Sequence, residues 1–242
     1  MAAAFGWGLL AASSLVIGAL VALRFRLGLR TIGLIMGFGA GVLISAVAFD
    51  LVEEAADIGS HEAVIAGLFV GCAVFFVGDV LIARMGGSER KSAAGRQGSG
   101  SALAIVLGTV LDGIPESMVI GVTIYEGGAV GAAFLAAVFI SNLPEAISST
   151  AGLLSGGWEK ARIVWMWIAI ALVSGLASLA GYGLFQGASP SVVAFVLAFA
   201  AGAILTMLAD TMMPEAYEHS GKLVGVVATL GFAVAFTIHA LD

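Results

Sequence analysis

Two short segments place acidic and other oxygen-bearing side chains at helical spacing around a proline. The first reads DGIPES and begins at Asp112, and the second reads SNLPEA and begins at Ser141. In a helix, Asp112 lies one turn from Glu116 and Ser141 one turn from Glu145, so each segment directs two oxygen donors to one side. Asn142 adds an amide. Such oxygens bind hard or borderline divalent cations, which makes the two segments candidates for a cation site.

The prolines add backbone oxygen to both segments. Pro115 and Pro144 lack an N–H group, which leaves the carbonyl groups of Leu111 and Ile140 without their usual helical hydrogen bond. An opened helix at membrane depth is tolerated only where protein or a water-filled cavity covers it. The alternative interpretation is a structural kink whose acids are protonated and bonded to neighbouring helices.

Both segments lie inside long apolar runs, which identifies an integral membrane protein. Hydrophobic residues make up 60% of the 242 residues and charged residues 11%, and the mean hydropathy is +1.10. These values lie far from those of soluble domains. A run of about 20 apolar residues crosses a bilayer as a helix. The sequence predicts an all-α fold with spans at residues 5–23, 31–52, 62–83, 101–123, 128–153, 162–185, 191–213 and 222–240.

The basic residues predict the orientation of these eight spans. All ten Lys and Arg residues fall in loops after odd-numbered spans, whereas the other loops carry acids such as Asp57 and Glu126. By the positive-inside rule, the odd-numbered loops are cytoplasmic and both termini lie outside. The Gly/Ser-rich loop at about residues 84–100 is predicted to be a flexible cytoplasmic linker within a single transmembrane domain covering residues 1–242.

No basic residue falls near the middle of a span, so no protein cation is expected to neutralise the buried acids. An ionised carboxylate at the bilayer centre costs roughly 2.5 to 3.5 kcal/mol. Protons, water and metal ions are the remaining partners. The donor set suits a hard or mixed divalent cation, whereas structural zinc would require Cys or His.

Two further segments resemble each other and predict an inverted repeat. One reads AGVLISAVAFDLVEEA from Ala40 in span two, and the other AGAILTMLADTMMPEA from Ala201 in span seven. On the predicted topology they run in opposite directions, as in the inverted repeats of secondary transporters. We predict that spans one to three are related to spans six to eight around central spans four and five. Chance similarity between Ala/Gly-rich helices is the alternative.

These motifs resemble the Zrt/Irt-like (ZIP) family of divalent-metal transporters over nearly the whole chain. In that family, span four reads His-Asn-x-Pro-Glu-Gly, and span five carries a polar pair, a spacer and Pro followed by a ligand. The resemblance implies one metal site formed by Asp112, Glu116, Ser141, Asn142 and Glu145.

The chain departs from the family pattern at three positions. Asp112 replaces the span-four histidine, Gly113 replaces the asparagine, and Ser178 stands where span six often carries a glutamate. We therefore expect one site that is richer in oxygen than usual and a preference shifted away from soft ions.

The resemblance also implies a mechanism. Spans one, four, five and six would carry a divalent metal of the zinc, iron or manganese class toward the cytoplasm by moving against spans two, three, seven and eight. Asp50 and Asp210 are predicted to line the pathway, with solvation of a helix end as the alternative. Glu215 and His219 share a helical face where an exit site is a further hypothesis.

The expected setting is the plasma (inner) membrane, with the metal as substrate and no cofactor. The lipid bilayer is the expected partner, nucleic acid is not, and a homodimer is left open. Two other functional classes compete with metal transport. The same scaffold could move protons or another solute through these acids. An intramembrane enzyme is disfavoured because the chain lacks the Gly-x-Gly-Asp signature of aspartyl proteases.

Overall fold

The protein is a bundle of long helices, seen here in a computed structural model that describes residues 1–25, 27–87, 102–125 and 132–241. No strand occurs in these ranges. The eight predicted spans correspond to helices α1 to α8, which are Ala2–Arg24, Leu29–Ile58, His61–Ile82, Ala102–Tyr125, Ala132–Ser155, Lys160–Leu184, Pro190–Ser220 and Leu223–His239. Among the described residues, seven helices are long and apolar enough to cross a membrane, and α8 is a shorter apolar helix. The prediction of an all-α, multi-pass membrane protein is confirmed.

Helices α2 and α7 extend beyond the approximate spans predicted for them, which end at about residues 52 and 213. Helix α2 continues to Ile58 and α7 to Ser220. Hydropathy falls where a helix leaves the lipid, but its hydrogen bonds continue until the backbone turns. Gly59 is extended and Gly221 has a φ of 59°, a conformation that favours glycine. Most of the predicted linker, and the α4–α5 connection at residues 126–131, lie outside the described residues.

Helices α2 and α7 each contain a π-helical segment at the same place in the aligned repeat. The segments are Val47–Glu53 and Leu208–Met212. Asp50 lies in the first turn of one segment and Asp210 in the first turn of the other. π-helical segments are rare and often occur at functional sites. The similarity between the two segments of sequence therefore extends to an unusual backbone feature.

The contacts between helices have the symmetry that is expected of an inverted repeat. Helix α2 packs along α8, and α7 packs along α3. Gly41 of α2 lies against the carbonyl group of Ala228 in α8, and Gly202 of α7 lies against the carbonyl group of Leu68 in α3. Glycine allows such close backbone contact between helices in a membrane. Exchanging α2 for α7 and α8 for α3 converts one contact into the other.

The helices divide into two groups. Helix α1 packs against α5 and α6, and α4 packs against α6, whereas the α2–α8 and α3–α7 pairs form the other group. These are the groups that the family resemblance implies, and the largest contact between them is that of α2 with α5. Helix α5 is the most enclosed, with 72% of its central residues buried against 22% for α3. The second predicted motif therefore lies on the innermost helix.

Candidate cation site

The first candidate segment lies in the middle of α4, which continues through Pro115 as a helix. The side chains of Asp112 and Glu116 are each 3% exposed. The helix has no Lys, Arg or His, and both acids have other interaction partners within the protein. A buried carboxylate is stable only when it is protonated, hydrogen-bonded, paired or bound to a cation.

The second segment lies in the middle of α5, which also continues through its proline. Ser141, Asn142 and Glu145 are 2%, 7% and 6% exposed. The Ser141 hydroxyl donates a hydrogen bond to the carbonyl group of Val138 over 3.0 Å, which leaves the lone pairs of its oxygen as potential donors to a cation. The Asn142 amide has no hydrogen bond to the described part of the chain. This residue therefore retains its full donor and acceptor capacity for water or an ion.

The structure buries all five predicted ligands but does not gather the acids into one cluster. Helix α4 packs mainly on α6, whereas α5 packs mainly on α1 and α2, so α4 and α5 have little direct contact. Among the residues described, no three His, Cys, Asp or Glu side chains are close enough to hold a metal ion. A cation between α4 and α5 would need hydroxyl and amide oxygens as well as carboxylates.

Helix α2 forms a wall beside the second segment. A Cβ atom at Gly39 would lie 2.7 Å from Cγ of Pro144 and 3.4 Å from Cα of Ser141. The absence of a side chain at Gly39 is therefore what lets α2 approach this part of α5. The contact joins the two helix groups directly beside the predicted ligands.

Polar side chains extend from the site mainly toward one end of the helix pair. Thr109 of α4 and Ser148 and Ser149 of α5 are buried and lie toward the start of α4 and the end of α5. In the opposite direction, Thr123 is half-buried and bonds to the backbone of its own helix. Ser117, directly after Glu116, is also buried. The other buried side chains on that side are mainly apolar and include Val119, Ile120, Val122, Phe134, Ala137 and Val138. An ion leaving the site would therefore meet more buried oxygen donors on the first side than on the second.

Asp50 lies near one end of the α2–α8 pair and is bonded to α8. Its Oδ1 atom is 2.6 Å from Nδ1 of His239, and the side chains are 12% and 36% exposed. The ring of Phe49 packs against the His239 ring at 5.5 Å. This hydrogen bond fixes α8 to the π-helical segment of α2. The role of Asp50 in a pathway stays a prediction.

Asp210, the second predicted pathway residue, is exposed on the outer surface of α7. Its pathway role also stays a prediction. Farther along α7, Nε2 of His219 lies 2.9 Å from Oε1 of Glu215. The predicted shared helical face of these two residues is confirmed.

Sequence reasoning missed two buried hydroxyl groups beside the site. Thr109 precedes Asp112 by one helical turn, so its spacing alone could have identified it. Ser174 of α6 faces Gly113 across the α4–α6 contact. No spacing in the sequence indicates that contact, because it depends on how two distant helices pack.

No family model matches the chain. The chain is 26% identical over 204 residues to an Arabidopsis thaliana protein named "Putative zinc transporter At3g08650", and the match covers 83% of this chain and 32% of that protein. The chain therefore spans about a third of the length of the curated relative it matches.

Proposed function

We propose that the protein is a membrane transporter that moves divalent metal cations toward the cytoplasm by alternating access. The cation is held at mid-membrane between α4 and α5 by Asp112, Glu116, Ser141, Asn142 and Glu145. The observation that carries this proposal is the burial of three carboxyl groups, between 3% and 6% exposed, in two helices without a basic residue. The similarity to a protein named as a zinc transporter supports it independently.

Charge balance favours a cation as the transported species. The acids of α4 and α5 lie at the depth where an ionised group is most costly, and neither helix supplies a positive charge. The two positive charges of a divalent cation would balance the negative charges of two carboxylates. The oxygen-rich donor set supports a metal of the zinc, iron or manganese class, with the harder ions favoured over soft ones.

The distribution of polar residues supports release toward the cytoplasm. The hydroxyl groups of Thr109, Ser148 and Ser149 lie toward the ends of α4 and α5 that adjoin the basic loops. The positive-inside rule places those loops in the cytoplasm. We therefore place both termini outside and the protein in the plasma (inner) membrane. The helices α1, α4, α5 and α6 would move as a group against α2 at the Gly39–Pro144 contact. This movement would open the site toward the outer side of the membrane.

Metal flux into proteoliposomes tests the proposal. Wild type is compared with Glu116→Gln and Glu145→Gln, which keep side-chain size but remove the charge. Each variant should lose about 100-fold or more of its Mn²⁺ or Zn²⁺ flux, because even the outer-shell partners of a metal site are worth 10–100-fold. Glu159→Gln, an exposed residue just before α6, is the control and should transport normally. Wild-type flux in both site variants would disprove the assignment.

A proton or other solute is the second candidate for the cargo. It is favoured by the absence of a three-residue His/Cys/Asp/Glu group in the described ranges, since protons need no such cluster. The same proteoliposomes separate the two candidates. A pH gradient is applied across the proteoliposome membrane, and the pH of the liposome interior is measured with and without metal. Acidification of the interior that metal does not affect would support proton movement and contradict metal transport.

A further inference from the structure

Close backbone contact between α4 and α6 fixes which side chains face each other beside the site. A Cβ atom at Gly121 of α4 would lie 1.9 Å from the carbonyl oxygen of Ser178 in α6, and one at Gly181 of α6 would lie 2.3 Å from the carbonyl oxygen of Met118. Such contacts leave no room for the helices to slide or rotate independently. The facing of Gly113 toward Ser174, two turns before Gly121, is therefore set by the packing.

Ser174 is a buried residue whose hydroxyl has no hydrogen-bond partner in the described structure. The residue is 5% exposed, and its hydroxyl has no hydrogen bond to any residue in the described ranges. Ser178, one turn along the same helix, instead donates to the carbonyl group of Ala4 over 2.8 Å. Buried hydroxyl groups are usually satisfied by protein, water or a ligand. The hydroxyl of Ser174 is therefore available to a group that occupies the neighbouring space.

That space adjoins the acids of α4. Gly113 follows Asp112 directly and precedes Glu116 by one helical turn. A Cβ atom at Gly113 would meet a single neighbouring atom, Oγ of Ser174 at 3.6 Å, which is ordinary van der Waals contact. The glycine thus leaves room between the carboxylate-bearing face of α4 and a free hydroxyl group on α6.

We infer that Ser174 is a further residue of the cation site, and that its hydroxyl oxygen contacts the bound cation or a water molecule of its hydration shell. The inference rests on the proposed function. It assigns to the site a third helix, α6, and an oxygen donor at the position that Gly113 leaves open. A neutral hydroxyl there favours a partly hydrated, hard divalent cation without adding charge to the two acidic helices.

Metal affinity of the purified protein in detergent micelles, measured by calorimetry with Mn²⁺ and with Zn²⁺, tests the inference. Ser174→Ala should weaken Mn²⁺ binding about tenfold, as the loss of an outer-shell partner does. Ser174→Cys should raise the ratio of Zn²⁺ to Mn²⁺ affinity, because a thiol favours zinc and a hydroxyl does not. Ser155→Cys is the control, since Ser155 is an exposed residue at the end of α5 whose hydroxyl donates to the carbonyl group of Ala151; the ratio for this variant should stay at the wild-type value.

Gly113→Asn in the Ser174→Ala background distinguishes a site residue from a packing residue. The space at Gly113 admits a side chain, so the new amide oxygen should restore Mn²⁺ affinity, whereas a packing defect would persist. Unchanged affinity in Ser174→Ala, or an equal change of the ratio in Ser155→Cys, overturns the inference. If Ser174→Ala binds like wild type while Glu116→Gln and Glu145→Gln lose binding, only the assignment of Ser174 fails. If the glutamate variants also bind normally, the proposed function fails.

Discussion

The α2–α8 and α4–α6 contacts use the same backbone geometry and differ in the side chains beside it. In each, a glycine places one helix against a carbonyl oxygen of the other, at Gly41 and Ala228 in the first and at Gly121 and Ser178 in the second. Beside the α2–α8 contact the buried side chains of α2 are mostly apolar, whereas α4 buries two acids and two hydroxyl groups. Because α2 and α8 approach as closely without buried acids, the acids of α4 are not needed for helix association.

We expect the close contact of α2 with α8 to matter for stability, and the junction between the two helix groups to matter for transport. Three substitutions test this difference. Gly41→Ala should have the largest effect. Its Cβ atom would lie 1.9 Å from the Ala228 carbonyl oxygen, and relieving this overlap should cost about 3 kcal/mol of stability. Thermal unfolding in detergent measures the loss. Gly6→Ala is the control, since nothing lies within 4 Å of a Cβ there, and it should be neutral or slightly stabilising. Equal stability of the two variants would contradict the assigned role of the contact.

Gly39→Ala should have an intermediate effect, on transport more than on stability. The new methyl group would press on Cγ of Pro144 and on Cε of Met212, at the junction where the proposed transport mechanism moves the two helix groups past each other. We expect flux to fall about tenfold, a barrier increase of about 1.4 kcal/mol. Gly37→Ala, whose methyl group would meet Cγ1 of Val224 at 3.1 Å inside one helix group, should leave flux near the wild-type value. A similar loss of flux in both variants would remove the distinction between the junction and the α2–α8 contact.

His239→Ala should have the smallest effect. It removes the 2.6 Å hydrogen bond from His239 to Asp50, which should lower the free energy of unfolding by about 1 kcal/mol because the pair is partly exposed. Thermal unfolding again provides the measurement. His239→Asn places an amide N–H near the position of Nδ1 and should recover part of the loss. If the asparagine variant is as unstable as the alanine variant, packing against Phe49 outweighs the hydrogen bond.

Hydropathy was sufficient to predict the helices but not how they pair. Each apolar run is a local property, so eight spans follow from the sequence. The pairing of α2 with α8 depends on contacts such as that between Gly41 and Ala228, which are 187 positions apart. Helix α7 is longer than its predicted span for a related reason, since the helix persists through the polar stretch before Gly221 after its hydropathy has fallen.

For the candidate site, too, the sequence predicted the features within one helix but not the contacts between helices. The helical spacing of Asp112 and Glu116, and of Ser141 and Glu145, predicted paired donors, and all four side chains are buried. Spacing within a helix does not determine the distance between helices. It therefore did not predict that α4 faces α6 rather than α5, or that Ser174 lies beside Gly113.

The unequal lengths of α2 and α8 have a consequence for the surrounding lipid. At a rise of 1.5 Å per residue, the 30 residues of α2 span about 45 Å and the 17 residues of α8 about 26 Å, against a hydrocarbon thickness of about 30 Å. One helix must tilt or project into water, while the other is short enough to thin the bilayer beside it. The acyl-chain length of the lipids therefore affects the tilt of these two helices. Bilayers of different thickness would favour different tilts of α2, the helix that borders the site.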